Sequence, residues 1–145
     1  MKTYKCEIGQ SLYDYLANKD TFKEGLCYNN SFILLGDYLG DASVRGVIGY
    51  VLSSDGERKV AVRHCWLKRR NPYSNRSEII DVTMFANQYE PFEIMNFDYL
   101  EVKVLEPAVW LRLTERNNGC PAITGIRKEK DIVQGLKLEG YEVLE

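Results

Sequence analysis

The sequence contains a single histidine, few prolines and no run of apolar residues long enough to cross a lipid bilayer. A membrane-spanning helix needs about 20 mostly apolar residues, so none is expected. The first residues, MKTYKCEIGQSLYDYL, lack a continuous apolar segment and contain early acids, unlike a secretory signal. These absences predict a cytoplasmic protein that makes no membrane contact.

Repeats, low-complexity tracts and linkers rich in proline, glycine or serine are also missing. The length of 145 residues suits one domain, which we expect to cover residues 1–145. No C-x-x-C pair occurs, although structural zinc sites generally use such local pairs. Without an export signal, the four cysteines are expected to be free thiols, with no metal bound.

Charge is low in total but uneven along the chain. The net charge of −2 makes nucleic-acid binding an unlikely general role. Residues 58–76 contain seven basic residues and no acid, whereas residues 78–106 contain seven acids and one lysine. These stretches are either neighbours that neutralise each other, or the first is a basic surface for an acidic substrate or partner.

The hydrophobic pattern predicts helices, then a sheet, then helices. Helices are predicted at 8–19, 27–39, 107–117 and 127–139. Strands are predicted at 44–52, 58–68, 78–84 and 98–105. The final YEVLE is compatible with a strand or an irregular end. The expected fold class is α+β, in which the first three strands form an antiparallel meander.

His64 is the candidate for acid–base chemistry, because imidazole titrates near neutral pH. Strand alternation in VAVRHCWL places it on one face with Val60, Val62 and Trp66. A lone histidine there is otherwise a hydrogen-bonded core residue. Asp81 lies in the apolar run IIDV, where an unpaired carboxylate is costly to bury. We expect Asp81 in mid-strand, bonded to His64 and fixing its tautomer; the alternative is a residue at a strand end or in a turn.

Cys27 is the candidate nucleophile, because it follows a glycine-containing loop and begins a predicted helix. A helix N-terminus and a nearby imidazole both lower a thiol pKa. The backbone N–H of Cys27 would be free to donate to an oxyanion. The alternative is an ordinary buried cysteine. Cys65 alternates to the face opposite His64 and is therefore a poor candidate for the nucleophile. Cys6 and Cys120 lie in segments without a basic partner for catalysis, so both are expected to be structural or incidental.

Four short motifs occur in the order CYNNS at 27–31, GVIGYVL at 46–52, RHCWL at 63–67 and IIDVT at 79–83. Together they resemble the transglutaminase-like branch of the papain-like cysteine hydrolase superfamily, in particular small bacterial and phage proteins. Cys65 stands where that pattern commonly has alanine. The resemblance implies a papain-like core, in which the nucleophile helix packs on the antiparallel meander and further helices follow.

The resemblance also implies a cysteine-dependent hydrolase or acyltransferase that acts on an amide, peptide or ester bond. Cys27 would attack the carbonyl to form a thioester, His64 would move the proton, and Asp81 would orient His64. No cofactor is required, and the partner would be a protein or peptide substrate or a small amide. The alternative is a catalytically silent papain-fold binding module that contacts an acidic protein partner through stretch 58–76.

Two more residues are candidates for lining or supporting the site. Trp66 shares the strand face of His64 and could either line the site and exclude water or only pack in the core. Asn30 lies one turn after Cys27 and could support the site or cap the helix. The family pattern also has a polar oxyanion donor upstream of the cysteine, where Gln10 is the only glutamine.

Overall fold

The computed structural model describes residues 3–5, 27–36, 43–70, 77–81, 83 and 96–144. Its strands are β1 Tyr4–Lys5, β2 Val44–Asp55, β3 Arg58–Arg70, β4 Ser77–Ile80, β5 Asp98–Leu105 and β6 Glu142–Leu144. Its helices are α1 Cys27–Gly36, α2 Pro107–Arg116 and α3 Glu129–Leu138. The predicted α+β class is confirmed. The predicted helix 8–19 and Gln10 lie outside the described residues.

Strands β2 and β3 form the long hairpin at the centre of the sheet. They pair antiparallel from Val44↔Arg69 to Asp55↔Arg58, so both strands are longer than predicted. The two-residue connection begins with Gly56, whose φ of +57° is a conformation that glycine adopts at little steric cost. The β4 strand continues the meander antiparallel to β3, as predicted. The β5 strand pairs with the other edge of β2.

The outer edge of β3 is shared by two short strands. The β4 strand pairs with Leu67–Arg70, and β6 pairs in parallel with Val60–Val62. Between them, residues 63–66 have no strand partner on this edge within the described ranges. The α1 helix lies against this gap, since the Ser31 hydroxyl donates to the Cys65 carbonyl oxygen at 3.2 Å. The gap brings the start of α1 beside His64.

The sheet buries apolar side chains on both faces. One face carries Ile48, Cys65 and Leu67, which pack with Leu34 of α1 and Trp110 of α2. Farther along the sheet, Leu136 of α3 packs in a second cluster with Tyr50, Leu52, Ala61 and Leu100. The opposite face carries Val47, Val51, Trp66, Ile79 and Tyr99. The three α-helices named above therefore contribute core residues to one side of the sheet, whereas Trp66 belongs to the other.

None of the helices in the described part of the chain is both long and apolar enough to span a bilayer.

Candidate active site

His64 and Asp81 form a buried hydrogen-bonded pair. Nε2 of His64 lies 2.7 Å from Oδ2 of Asp81. The two residues are only 6% and 1% exposed, so the bond is largely shielded from water. His64 lies within β3 at the level of the gap in its outer edge. The structure thus brings together the two residues that the sequence pairs.

The prediction that Asp81 lies in mid-strand is wrong. The β4 strand ends at Ile80, and Thr83 is already helical. The β3–β4 pairing stops at Leu67↔Ile80, so Asp81 is not part of the ladder. Its carboxylate instead accepts hydrogen bonds from side chains on β3 and β5. Asp81 and Thr83 are buried although they lie beyond the end of β4 at Ile80.

Tyr99 is a third member of this buried group that the sequence reasoning missed. Its hydroxyl donates to the same Asp81 oxygen at 2.9 Å. The pairing of β5 beside β2 brings Tyr99 to this face, opposite Val51. No local motif in DYLEVKVL marks the tyrosine, because its proximity to Asp81 depends on the order of strands in the sheet. Two donors on one oxygen hold the carboxylate in a fixed orientation.

Trp66 connects His64 to Tyr99 by ring contacts. Its ring stacks on that of His64 with centroids 6.0 Å apart, and meets that of Tyr99 edge-on at 5.0 Å. Trp66 is fully buried, so it supports the site from inside the core and does not form an exposed pocket wall. On the paired strand, a Cβ added to Gly49 would lie 2.8 Å from Trp66 Cη2 and 2.0 Å from the Leu100 oxygen. Only glycine fits this approach.

Cys27 is the first residue of α1, as predicted, and is partly buried. Its backbone N–H lies in the first turn, where such groups lack intrahelical acceptors. The Cys27 side chain lies close enough to the His64 ring to be among the groups that raise the pKa of His64, by hydrogen bonding and by charge. Because Asp81 occupies Nε2, Nδ1 is the ring nitrogen that remains for the sulfur. His64 therefore links the thiol to the carboxylate.

The protonation of His64 follows from these two neighbours. Burial by itself would lower the pKa of the ring. The charge and hydrogen bond of Asp81, with those of Cys27, outweigh burial and raise the pKa of His64 to about 10. An unperturbed histidine titrates near 6.5, so His64 carries a proton at neutral pH. An imidazolium next to a thiol favours the thiolate, which is the reactive form of cysteine.

Asn30 fastens α1 to the segment that follows Asp81. Its side-chain Nδ2 donates to Thr83 Oγ1 at 3.0 Å, and both residues are buried. Asn30 thus takes the supporting role rather than that of an N-terminal cap. Since Thr83 is two residues from Asp81, the bond helps to fix the distance between α1 and the Asp81 carboxylate. In the sequence Thr83 is the last residue of the IIDVT motif, to which no separate role was assigned.

Four of the six basic residues that the structure describes in the stretch 58–76 form ion pairs with acids. Lys68 and Arg69 form ion pairs with Glu101 and Glu78 of the acidic stretch, as the neutralising interpretation predicts. Two further arginines pair with the C-terminal segment, in Arg58–Glu142 and Arg63–Glu129. The charges available to an acidic partner are fewer than the sequence indicates.

The described cysteines, Cys27, Cys65 and Cys120, are free thiols. Cys65 is fully buried in the core on the face opposite His64, as alternation predicts. Burial raises the pKa of the Cys65 thiol well above its usual value, which disfavours reaction there. Cys120 is exposed and remote in sequence from the His64 strand. Within the ranges described, no three histidine, cysteine or acidic side chains form a metal-binding group.

Comparisons with family models, with curated proteins and with solved structures found no match to this chain.

Proposed function

We propose that this protein is a cysteine-dependent hydrolase or acyltransferase that cleaves an amide, peptide or ester bond through a thioester on Cys27. The observation that carries the proposal is the position of His64, which interacts with the Cys27 side chain and bonds to buried Asp81. That is the arrangement in which a base or ion-pair partner activates a nucleophile and a carboxylate orients the base. The motif resemblance to the transglutaminase-like branch of the papain-like superfamily agrees with it.

The first half-reaction forms the thioester. The Cys27 thiolate attacks the carbonyl carbon, and the carbonyl electron pair moves to the oxygen. The backbone N–H of Cys27, at the first turn of α1, is a donor for that oxyanion. When the oxyanion collapses, the bond to the leaving group breaks. The His64 imidazolium gives its proton to the departing amine or alcohol, which leaves His64 neutral.

The second half-reaction releases the acyl group. Neutral His64 takes a proton from water or from an acceptor amine as that molecule attacks the thioester carbonyl. The carbon–sulfur bond then breaks and regenerates the thiolate beside the imidazolium. Water as acceptor gives a hydrolase, and an amine gives an acyltransferase. Asp81 stabilises the imidazolium in both halves without taking its proton.

The burial of His64 and Asp81 favours a catalytic role for Cys27 over a purely structural one. Removing water from around charged groups strengthens their interactions, and His64 and Asp81 are both nearly inaccessible. Cys27 is the partly accessible member. The site therefore has a protected acid–base pair and a sulfur that an electrophile can approach.

An acyl-trapping experiment tests the proposal. The protein is mixed with p-nitrophenyl acetate at pH 7, and p-nitrophenol release is followed while acetylation is mapped by mass spectrometry. The expected result is rapid stoichiometric release with the acetyl group on Cys27, lost in Cys27→Ala and strongly slowed in His64→Gln. Cys120→Ala is the matched control, because that thiol is exposed and should leave the burst unchanged. Acetylation spread over lysines and Cys120, with none on Cys27, would contradict the proposal.

A further inference from the structure

A second polar cluster lies against the nucleophile helix. Arg63 Nε donates to Glu129 Oε1 at 2.5 Å, and Nη2 donates to Glu129 Oε2 at 3.2 Å. Arg63 Nη1 donates to the Tyr28 hydroxyl, and Nη2 also donates to the Ile123 carbonyl oxygen at 2.9 Å. The Tyr50 hydroxyl adds a 2.8 Å bond to Glu129 Oε1. All three nitrogens of the guanidinium are therefore engaged.

Two members of this cluster are next in sequence to residues of the site. Tyr28 follows Cys27 directly, and Arg63 directly precedes His64. Glu129 is the first residue of α3. One guanidinium thus joins the nucleophile helix, the histidine strand and the C-terminal helix.

We propose that Arg63 is a positioning residue: held by Glu129, it fixes the start of α1 through Tyr28, so that Cys27 stays against His64. This inference rests on the proposed function for its catalytic meaning, but its geometry is independent of turnover. It gives α3 a role in the site, through the bonds of Glu129 to Arg63.

Burial makes the cluster rigid enough for this role. The side chains of Arg63 and Glu129 are only 10% and 16% exposed, unlike the exposed Arg58–Glu142 pair at 65% and 51%. Exposed pairs are screened and contribute little, whereas a buried pair has few alternative partners. Although burial opposes ionisation of Glu129, the Arg63 and Tyr50 hydrogen bonds lower the pKa of Glu129 below its usual value. The planar guanidinium also fixes the directions of its bonds.

Tyr28 is suited to receive one of those bonds as a neutral phenol. Burial raises the pKa of Tyr28, so the hydroxyl keeps its proton. Its ring also lies under the guanidinium, with Arg63 Cζ 5.6 Å from the ring centroid, and packs against the core cluster of Cys65 and Leu67. Tyr28→Phe therefore removes the hydroxyl that Arg63 holds and keeps the ring packing.

The test uses His64 as an internal reporter, because the single histidine gives unambiguous ring signals in an NMR titration. Since the Cys27 side chain contributes to the raised pKa of His64, movement of Cys27 away from the ring lowers that pKa. We expect Tyr28→Phe and Glu129→Gln each to lower it by about 1, toward the value measured in Cys27→Ala. In the Cys27→Ala background, the same two changes should produce no further fall.

Glu142→Gln is the matched control. It breaks another arginine–glutamate pair between β3 and the C-terminal segment, but one that is exposed and whose arginine lies five positions nearer the hairpin turn than Arg63. It should leave the His64 pKa unchanged. The inference is overturned if Tyr28→Phe and Glu129→Gln leave the pKa at its native value, or if either lowers it equally with Cys27 absent. A different combination of results is that the His64 pKa responds to Tyr28→Phe and Glu129→Gln as expected while the native protein never forms a thioester. That combination would overturn the proposed function and leave this inference standing.

Discussion

Nε2 of His64 lies 2.7 Å from Oδ2 of Asp81, although the residues are 17 positions apart and belong to different elements. Both side chains are buried, so each is the other's main compensation for lost hydration. Removing one partner of such a pair leaves an uncompensated buried charge, which costs about 3–5 kcal/mol. The pair is therefore expected to matter for stability as well as for chemistry.

Asp81→Asn keeps the size of the side chain and removes its charge. The pKa of His64 should fall, because the Asp81 charge is the main factor that raises it against burial. Thioester formation should slow about 10³-fold or more, and unfolding free energy should drop by about 3 kcal/mol. Glu101→Gln is the control, since it breaks the partly exposed Lys68–Glu101 pair on the same sheet and should cost less than about 1 kcal/mol. Urea unfolding and acetylation kinetics measure both effects.

Tyr99→Phe removes one donor from Asp81 and keeps the ring that packs on Trp66. A hydrogen bond to a charged acceptor contributes about 1.5–3 kcal/mol, and that loss of unfolding free energy is expected. Tyr141→Phe is a matched change, because no bond joins its hydroxyl to the described residues while its ring contacts Lys59. It should alter stability by less than about 0.5 kcal/mol. Equal effects of the two changes in urea unfolding would show that the Asp81 bond contributes nothing.

Gly49→Ala places a methyl group 2.0 Å from the Leu100 carbonyl oxygen and 2.8 Å from Trp66 Cη2. Backbone or Trp66 must shift, and we expect a loss of about 3 kcal/mol with a changed His64 environment. Gly135→Ala, in the middle of α3 with nothing within 4 Å, should instead stabilise by about 0.5–1 kcal/mol. Thermal and urea unfolding of the two variants should therefore differ in sign. A neutral Gly49→Ala would contradict the close approach of β5 and Trp66.

Much of this fold follows from patterns within single segments. The helix beginning at Cys27, the β2–β3 hairpin and the strand at 98–105 were predictable, because periodicity and turn residues are local properties. The end of β4 was not, since Asp81 leaves the ladder to meet partners on β3 and β5. The parallel pairing of β6 with β3 was also beyond local patterns.

The candidate site divides in the same way. The cost of burying an unpaired carboxylate was enough to couple Asp81 to His64. The contributions of Tyr99 and Arg63 could not be predicted from the cost of burial, because they depend on the order of strands in the sheet and on where α3 packs. The charge pattern was informative only for the pairs between neighbouring strands, such as Arg69–Glu78.

The raised pKa of His64 predicts how stability depends on pH. The folded state holds the His64 proton up to about pH 10, whereas the unfolded chain releases it near 6.5. This contribution is therefore complete below about pH 6.5 and is lost as the pH rises toward 10. Unfolding free energy should decline between about pH 6.5 and 8.5 in the native chain and more weakly in His64→Gln. Urea unfolding measures this free energy at each pH. If it declines equally with pH in the native chain and in His64→Gln, His64 keeps an ordinary pKa.

The most direct test of the central claim is the alkylation rate of Cys27 as a function of pH, mapped by mass spectrometry after iodoacetamide treatment. If His64 holds Cys27 as a thiolate, Cys27 should react at pH 6–7 about 100-fold faster than the exposed thiol of Cys120. His64→Gln should remove most of that advantage while Cys120 stays unchanged. Equal, slow labelling of both thiols at pH 6–7, insensitive to His64→Gln, would contradict the triad.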